Sequence, residues 1–463
     1  MQKVVVIGAG PSGLYAAIKL YQKGVRDIVV YDPRANHYTR PGHLNKTVFE
    51  SAERSLNLDF GLEDKPTHIK DMERILYREA IRLGIKIENK RFVRLHEDSK
   101  NPGVVVADAS GKEEIVEAEY VFEGTGKQRK VVDAVNKVDP DSPLQLTTVT
   151  ELPVRNHFLA YVKMEASDFS RIQIAIERNY PQASKVEPLA YAQSIIKLRD
   201  LGWKEFQFPR LYGFTFGKDK VCLYLHAPEN LTKENYDKWV QTVFDCYTSP
   251  LQMRSAWGQL IVERPAPVSY THLPASTKPR FGTFSLTAQA LQKFSYKGKN
   301  LPEVITVGDS QIDFDYSLGN GMKNGIERID VLLHQIDISD NEICFNSAAY
   351  DERVNPYIED HKTNLIIAAN KVRLGFAEAL SVARSKFELA LTASKDEVEK
   401  KNIGEILKEI DARLSGNLQV SSNLDNSRME TPTKQTSKVL GFFDHSQPNE
   451  QQDTVPTPVK SFS

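Results

Sequence analysis

The chain has 463 residues, 40% hydrophobic and 26% charged, which is ordinary for a globular protein with room for two or three domains. Its 60 basic and 61 acidic residues nearly balance, so the overall charge gives no support to binding of nucleic acid or an anionic membrane. All apolar runs are far shorter than a bilayer span, and the first strand starts close to Met1. We therefore expect no transmembrane segment, no cleaved signal and a cytoplasmic protein.

Cysteine and histidine spacing argues against a metal site. Cys222, Cys246 and Cys344 are far apart and contain no C-x-x-C pair, which favours reduced thiols over disulfides or zinc. No two of the ten histidines have the helical spacing of metal ligands. We expect no metal.

The N-terminal segment has the pattern of a strand, a glycine turn, a helix and a second strand. A β-branched run, Lys3–Ile7, leads into Gly8-Ala9-Gly10-Pro11-Ser12-Gly13, and a later run ends at Asp32. In this pattern the first glycine makes a tight turn, the second lets the backbone approach a pyrophosphate, and the third lets helix and strand pack closely. The helix N-terminus would hold the phosphates, and Asp32 would accept hydrogen bonds from a ribose diol. The segment predicts a dinucleotide site.

A polar, turn-rich loop at residues 33–42 should leave the sheet at its ligand edge. Arg34 and Arg40 lie in this loop and are placed to reach phosphate or ribose. The alternative for both is a solvated loop charge.

The next elements continue the α/β pattern. Residues 71–83 carry one apolar stripe that ends before Gly84, which predicts a helix. Strands are predicted around residues 85–88 and 103–107. A further strand from residue 119 runs into Gly124-Thr125-Gly126, a second place where backbone should come close to a ligand.

From residue 144 to 302 the runs become strand-like, with a hairpin at 211–226, and predict an antiparallel substrate domain. This domain is inserted in the nucleotide-binding one (1–143 and 303–337), because the nucleotide pattern returns at Gly308-Asp309. Gly319-Asn320-Gly321-Met322 then opens a helix whose apolar face we expect to include Ile326, Ile329, Leu332 and Ile336. Its N-terminal dipole would suit a group that gains negative charge, such as a reduced flavin.

The C-terminal part should be helical and then disordered. Residues 338–414 form the helical region, and apolar residues at three- and four-residue steps predict a separate hairpin of helices from about residue 357. Residues 415–463 are rich in Asn, Ser, Gln, Thr and Pro, which predicts a disordered tail. The helices could bind a protein partner.

Three patches together resemble the class A flavoprotein monooxygenases of the para-hydroxybenzoate hydroxylase fold. They are Gly8–Gly13 with Asp32, the strand into Gly124–Gly126, and Gly308-Asp309 followed by Gly319, Gly321 and Gly325. Residues 32–40 and 69–87 are most similar to the MICAL-type enzymes of that family. The resemblance covers roughly residues 1–336 and is absent from residue 357 onward.

The resemblance implies FAD in an extended conformation, with Asp32 on the adenosine ribose and Asp309 on the ribityl chain. The helix start at Gly319–Met322 would lie beneath the isoalloxazine. In such enzymes NADPH or NADH reduces the flavin, oxygen adds to give a C4a-(hydro)peroxide, and an oxygen atom passes to a small-molecule or protein substrate. The implied protein is an NAD(P)H-dependent monooxygenase.

The sequence departs from the family at four places. Thr125-Gly126 stands where a strand motif usually ends in Asp-Gly, and Lys70 stands where an arginine usually opens the 71–83 helix. Tyr316 replaces a proline over the flavin and is a candidate to cover the ring or block the nicotinamide. Lys323 replaces an asparagine near the ring edge and is a candidate to stabilise anionic reduced flavin, with a solvated helix-surface lysine as the alternative.

Two other functions stay open. The altered Thr125-Gly126 favours a flavin reductase or oxidase that inserts no oxygen. The helical appendage and polar tail favour an interaction protein that keeps a flavin fold as a scaffold. In each case we expect an α/β fold: a Rossmann-like FAD-binding domain, an inserted antiparallel β-sheet domain and a C-terminal α-helical segment.

Overall fold

The computed structural model describes residues 3–424 except 40–41, 43, 45, 62–67, 151–155, 178–182, 216–217, 255–256, 258, 274–280, 285–287, 314–320 and 340–341. Four residues that we expect near the cofactor therefore lie outside the described residues: Arg40, Tyr316, Gly319 and Asn320.

Strands and helices alternate in the first region. In chain order they are β1 (Val4–Ile7), α1 (Pro11–Lys23), β2 (Ile28–Tyr31), α2 (Lys46–Leu56), α3 (Ile69–Arg82), β3 (Lys86–Glu88), β4 (Arg91–His96), β5 (Gly103–Ala107), β6 (Glu113–Glu117), β7 (Tyr120–Glu123) and α4 (Lys130–Val138).

The middle region mixes antiparallel strands with helices. It contains β8 (Leu146–Thr148), β9 (Asn156–Lys163), α5 (Ala166–Glu177), α6 (Pro188–Asp200), β10 (Leu211–Thr215), β11 (Lys220–Ala227), α7 (Tyr236–Tyr247), β12 (Leu251–Arg254), β13 (Leu260–Glu263), β14 (Thr271–His272), β15 (Phe281–Phe284), β16 (Gln289–Leu291) and β17 (Ser295–Tyr296).

The last region returns to the first sheet and ends in two long helices. Its elements are β18 (Glu303–Thr306), α8 (Gly321–Leu333), β19 (Ile336–Ser339), β20 (Glu342–Phe345), α9 (Ser347–Ala393) and α10 (Glu397–Leu424). Because α8 ends at Leu333, Ile336 begins β19 and does not extend the helix face as we expected.

A parallel sheet forms the centre of the first core. Its order is β17-β18-β7-β1-β2-β3, and only β17, at the edge, is antiparallel to its neighbour among these strands. Every residue of β1, β2, β7 and β18 is buried, as expected for strands covered on both faces. Since parallel strands end at one edge, the segments after β1, β7 and β18 are brought together.

An antiparallel sheet forms the centre of the second core. Its order is β10-β11-β9-β14, and β15 also pairs with β9. The predicted hairpin of β10 and β11 is confirmed. One face of this sheet packs against α5, α6 and α7, which the sequence analysis did not predict. In α6 the buried residues Tyr191, Ala192, Ile195 and Leu198 recur at three- and four-residue steps and form one face of the helix.

The long helix α9 belongs to both cores. Its first part packs in the first core through Tyr350, Val354, Ile358 and Leu365. Its last part packs in the second core through Leu380, Ala383, Phe387 and Ala390.

The expectation of a separate helical piece is therefore not met. The helix starts at Ser347, ten residues before the expected position, and continues through Pro356. Helix α10 extends to Leu424, so residues 415–424, which we expected in the tail, are helical. The predicted turn near residue 394 is present, because α9 ends at Ala393 and α10 begins at Glu397. Among the described helices, none is long and apolar enough to cross a membrane.

Candidate functional site

Three glycine-containing segments meet at the carboxyl edge of the parallel sheet. Residues 8–13 follow β1, residues 124–126 follow its neighbour β7, and residues 308–309 follow β18 beside β7. The sheet continues from β1 to β2 and β3 on one side and to β7 and β18 on the other. The crevice outside the strand ends at such a reversal is where open α/β sheets bind ligands.

Gly8 and Gly13 have the structural roles that the sequence predicts. Gly8 leaves β1 with φ +106°, and a Cβ there would lie 2.4 Å from the carbonyl oxygen of Gly124. A Cβ on Gly13 would lie 2.0 Å from the carbonyl oxygen of Gly8. A side chain at either position would collide with backbone.

Gly10 differs from both, because a Cβ there would meet nothing within 4 Å. Gly10 is also the N-cap of α1, where no side chain accepts a hydrogen bond from the first turn. Pro11 follows at the first helical position, which needs no N–H group. Open space beside an uncapped helix N-terminus fits a pyrophosphate, which the free N–H groups and the helix dipole attract.

Asp32 lies beside this turn. It follows β2, is 5% exposed, and its Oδ2 accepts a hydrogen bond from the N–H of Ala9 (2.9 Å). Its Oδ1 accepts from the N–H of Arg34 (2.7 Å), and the Arg34 guanidinium lies 3.3 Å from Oδ2. Arg34, nearly half exposed, is thus a partner of the acid.

Ser12 joins the first patch to the third. Gly308 has φ +64°, and a Cβ there would lie 2.3 Å from the Ser12 Oγ. A Cβ on Gly325 of α8 would lie 3.5 Å from the Cα of Gly308 and 3.7 Å from the same Oγ. The glycines of α8 and of the Gly308 turn thus allow close contact with the first glycine turn.

Asp309 is half-buried in this turn, and its Cβ would lie 3.8 Å from a Cβ on Gly126. Gly321 is buried at the start of α8, and Met322 packs partly against the first core. The second and third patches therefore face each other across the strand ends.

Glu123 is a buried acid that the sequence analysis missed. It ends β7, and its carboxylate accepts hydrogen bonds from the N–H groups of Thr125 (2.6 Å) and Val131 (2.5 Å). Burial raises the pKa of the Glu123 carboxyl, while these donors favour its ionised form. Thr125 Oγ1 in turn accepts from the N–H of Lys130 (3.1 Å). The signal was an acid at the end of a buried strand, directly before Gly124.

A second missed feature is the buried ion pair of Arg129 and Asp313. The Arg129 Nη2 lies 2.8 Å from the Asp313 Oδ1, and its Nε donates to the Ser310 carbonyl (3.0 Å). Arg129 has φ +44°, a conformation that costs a non-glycine residue about 1–3 kcal/mol. The pair ties the segment after β7 to the segment after β18.

Arg328 of α8 is the third missed residue. It is 2% exposed, its Nε donates to the Gln311 Oε1 (2.6 Å), and its Nη2 donates to the Gly308 carbonyl (3.1 Å). The signal was an arginine within the apolar stripe of Ile326, Ile329 and Leu332. Arg129 and Arg328 thus hold the 308–313 turn from two sides.

The two lysine candidates occupy less specific surroundings. The Lys323 side chain is 42% exposed, and its Nζ lies 3.8 Å from the Glu327 Oε1 one helical turn later. This geometry favours the solvated alternative. Lys70 is half-buried in the first turn of α3.

Within the residues that the structure describes, no group of three or more His, Cys, Asp or Glu side chains is arranged to hold a metal ion.

One face of the antiparallel sheet lies beside the loop that follows Asp32. Leu159, Tyr161 and Cys222 are buried on the face opposite the helices, with Tyr224 partly buried among them. The Tyr161 hydroxyl accepts a hydrogen bond from the N–H of Gly42 (3.0 Å). This face is therefore directed toward the nucleotide-binding region.

Comparison with known proteins agrees with this architecture. Residues 2–151 match the family described as pyridine nucleotide-disulphide oxidoreductase. No curated protein sequence matches the chain significantly. The structure is similar to that of the Diels-Alderase PyrE3 of pyrroindomycin biosynthesis, with 16% identity, coverage of 87% of this chain and 79% of that chain, and a TM-score of 0.51. It is also similar to the flavin-dependent monooxygenase PieE in complex with FAD and substrate, with 11% identity, coverage of 89% and 71%, and a TM-score of 0.51.

At these identities the likeness shows a shared fold. The chain combines a Rossmann-like parallel sheet, an antiparallel sheet and C-terminal helices, so the predicted fold class is confirmed. Neither comparison singles out MICAL-type enzymes, and that part of the resemblance stays a prediction.

Proposed function

We propose that the protein is an NAD(P)H-dependent FAD monooxygenase. The observation that carries this proposal is the contact of Ser12 with Gly308, which brings a third segment to the glycine turn and Asp32. A nicotinamide dinucleotide would need only the glycine turn and Asp32. A third segment at the same crevice suits FAD, whose ribityl chain continues beyond the diphosphate.

The residues present fit this cofactor. The uncapped N-terminus of α1 and the open side of Gly10 would hold the diphosphate, and Asp32 would accept hydrogen bonds from the adenosine ribose. Asp309 would accept from the ribityl hydroxyls. The N-terminus of α8 at Gly321 would stabilise negative charge that the ring gains on reduction. FAD would supply the redox chemistry, accepting hydride from the nicotinamide and activating oxygen for transfer to the substrate.

We place substrate binding at the face of the antiparallel sheet that carries Tyr161 and Tyr224. The hydrogen bond from the N–H of Gly42 to the Tyr161 hydroxyl supports this location, because residue 42 belongs to the loop that follows Asp32. A substrate there would lie between the middle region and the cofactor. The aromatic character of the face suits an apolar or aromatic substrate group.

The test begins with the absorption spectrum of the purified protein before and after anaerobic NADPH and NADH. We expect flavin absorption that is bleached by one or both nucleotides. Asp32→Ala and Asp309→Ala should each weaken FAD retention by about tenfold, since each removes an acceptor of charged hydrogen bonds. Asp108→Ala, in an exposed turn, is the matched control. Full flavin occupancy in Asp309→Ala would show that the third segment does not bind the cofactor.

A flavin reductase or oxidase is the second candidate. It is favoured by Thr125-Gly126, which stands where the family usually has Asp-Gly. The Thr125 N–H donates to Glu123, and its hydroxyl accepts from the N–H of Lys130. Also, one similar fold belongs to a Diels-Alderase, so the fold leaves the chemistry open. Turnover under oxygen-18 separates the candidates, because only a monooxygenase transfers the label to product.

A further inference from the structure

Arg328 is a buried cation whose described hydrogen-bond partners are all uncharged. Its Nε and Nη2 donate to an amide oxygen of Gln311 and to the carbonyl of Gly308. In the part of the chain that the structure describes, its Nη1 has no hydrogen-bond partner and no carboxylate forms an ion pair with the guanidinium. Arg129, the other buried arginine at this turn, differs because it is paired with Asp313.

A buried charge that has no ion-pair partner lowers the stability of a protein. Burial lowers the pKa of the Arg328 guanidinium, opposed by the nearby charge of Asp309. Asp309 is only half-buried, so water also solvates its charge. A guanidinium has five N–H donors in a planar fork and stays charged in proteins, so it suits an anion that arrives as a ligand.

The surroundings indicate where that anion would lie. The Gly308 carbonyl accepts from Arg328, and the Cα of the same residue packs against Ser12 in the first turn of α1. One turn before Arg328, Gly325 also faces Ser12. Gly308 therefore contacts both the Arg328 guanidinium and the first turn of α1, so one residue separates the guanidinium from that turn.

We propose that Arg328 supplies the positive charge that binds the diphosphate of the dinucleotide. The inference rests on the proposed function in that it takes FAD as the ligand, but its chemistry is the attraction of a buried guanidinium to a diphosphate. The ligand-free protein carries this charge at a cost in stability, and the bound diphosphate compensates it. Arg328 thus has two roles: its charge attracts the diphosphate, and its hydrogen bond to the Gly308 carbonyl positions the turn.

The test uses Arg328→Met, which removes the charge at similar volume, and Arg328→Lys, which keeps it without the fork. Apoprotein is titrated with FAD, ADP and riboflavin, the last of which has no phosphate. In Arg328→Met the dissociation constants of FAD and ADP should rise about tenfold or more, while that of riboflavin stays within about twofold. Arg328→Lys should recover most of the loss. Ile329→Val, a buried neighbour on α8, should leave all three unchanged.

Thermal unfolding separates charge from packing. If Arg328 carries an uncompensated charge, Arg328→Met should leave the melting temperature of the apoprotein unchanged or raise it, while reducing the increase that FAD produces. Inorganic pyrophosphate should raise the melting temperature of wild-type apoprotein, and this measurement does not depend on the folding of any variant. No effect of pyrophosphate on the wild type would overturn the proposal.

Two further results would overturn it: unchanged FAD affinity in Arg328→Met, or an equal loss for FAD, ADP and riboflavin. These differ from failure of the proposed function. If the wild type is purified without flavin and is inert to nicotinamides, but binds ADP more tightly than Arg328→Met does, the oxidoreductase assignment fails and the role of Arg328 stands. If the wild type is a reducible flavoprotein and Arg328→Met binds FAD equally well, only the role of Arg328 fails.

Discussion

The two cores of the molecule are built from different kinds of contact. In the first core, parallel strands buried on both faces end at one edge, where backbone packs against backbone at Gly8, Gly13 and Gly124. In the second core, one face of an antiparallel sheet packs against α5–α7, and side chains from the distant helices α9 and α10 belong to the same core. The first core has no room for an added atom at Gly8 or Gly13, while the second depends on large side chains that fill space. They should therefore fail in different ways when mutated.

Gly8→Ala should give the largest effect. The new Cβ would lie 2.4 Å from the Gly124 carbonyl oxygen, at a φ of +106°. Overpacking and backbone strain together should cost about 3–5 kcal/mol of stability and abolish flavin binding. Gly111→Ala is the control, since Gly111 also has a positive φ (+87°) but open space around its Cβ position. Chemical denaturation and flavin content would measure both. Equal losses in the two variants would show that φ, and not backbone contact, makes the first core sensitive.

Phe387→Ala tests whether α9 is part of the second core. Phe387 is fully buried and contacts Tyr191 and Phe206 at ring-centroid distances of 5.9 and 6.2 Å. Loss of its side chain should destabilise the protein by about 3–4 kcal/mol through the cavity it leaves. Leu389→Ala, on the same helix with 54% exposure, should change stability by less than about 0.5 kcal/mol. Similar unfolding curves for Phe387→Ala and Leu389→Ala would separate α9 from the core.

His361 tests the contact of α9 with the first core. Burial, together with the charge of Arg328, lowers the pKa of His361 to about 4, below the 6.5 of an exposed histidine. The unfolded chain therefore binds the proton first as pH falls, and stability should decrease from pH 6.5 toward pH 4, by at most about 1.4 kcal/mol per pH unit. His361→Gln should flatten this dependence, measured by denaturation at several pH values. His334→Gln, at an exposed site, is the control. An unchanged pH profile in His361→Gln would contradict a buried neutral histidine.

Lys323→Met should give the smallest effect. The side chain is 42% exposed and lies near Glu327, so water and this neighbour screen its charge. We expect the flavin midpoint potential to shift by less than about 10 mV, where a tenfold change in a two-electron equilibrium is about 30 mV. Lys362→Met, on α9, provides a surface control. A decrease of about 30 mV or more in the flavin midpoint potential of Lys323→Met alone would show that Lys323 interacts with the reduced flavin.

Local sequence determined the ligand edge of the first core. The requirement at Gly13 is imposed by the backbone of Gly8, five residues earlier. Asp32 follows a strand whose β-branched residues predict its burial. The strands at residues 103–107 and 303–306, the hairpin of β10 and β11, and the existence of two C-terminal helices were also predictable for this reason.

Tertiary structure decided what those elements pack against. The apolar period of α9 predicts a helix but fits many partners, so only the folded chain shows Leu365 in one core and Phe387 in the other. The same holds for Arg129, whose carboxylate partner Asp313 lies 184 residues away in the chain. The electrostatic role of a charged residue in an apolar stripe cannot be inferred from sequence, because it depends on whether the folded chain buries that charge away from water. Sequence by itself therefore determined where backbone turns, and only the tertiary structure decided which charges the site contains.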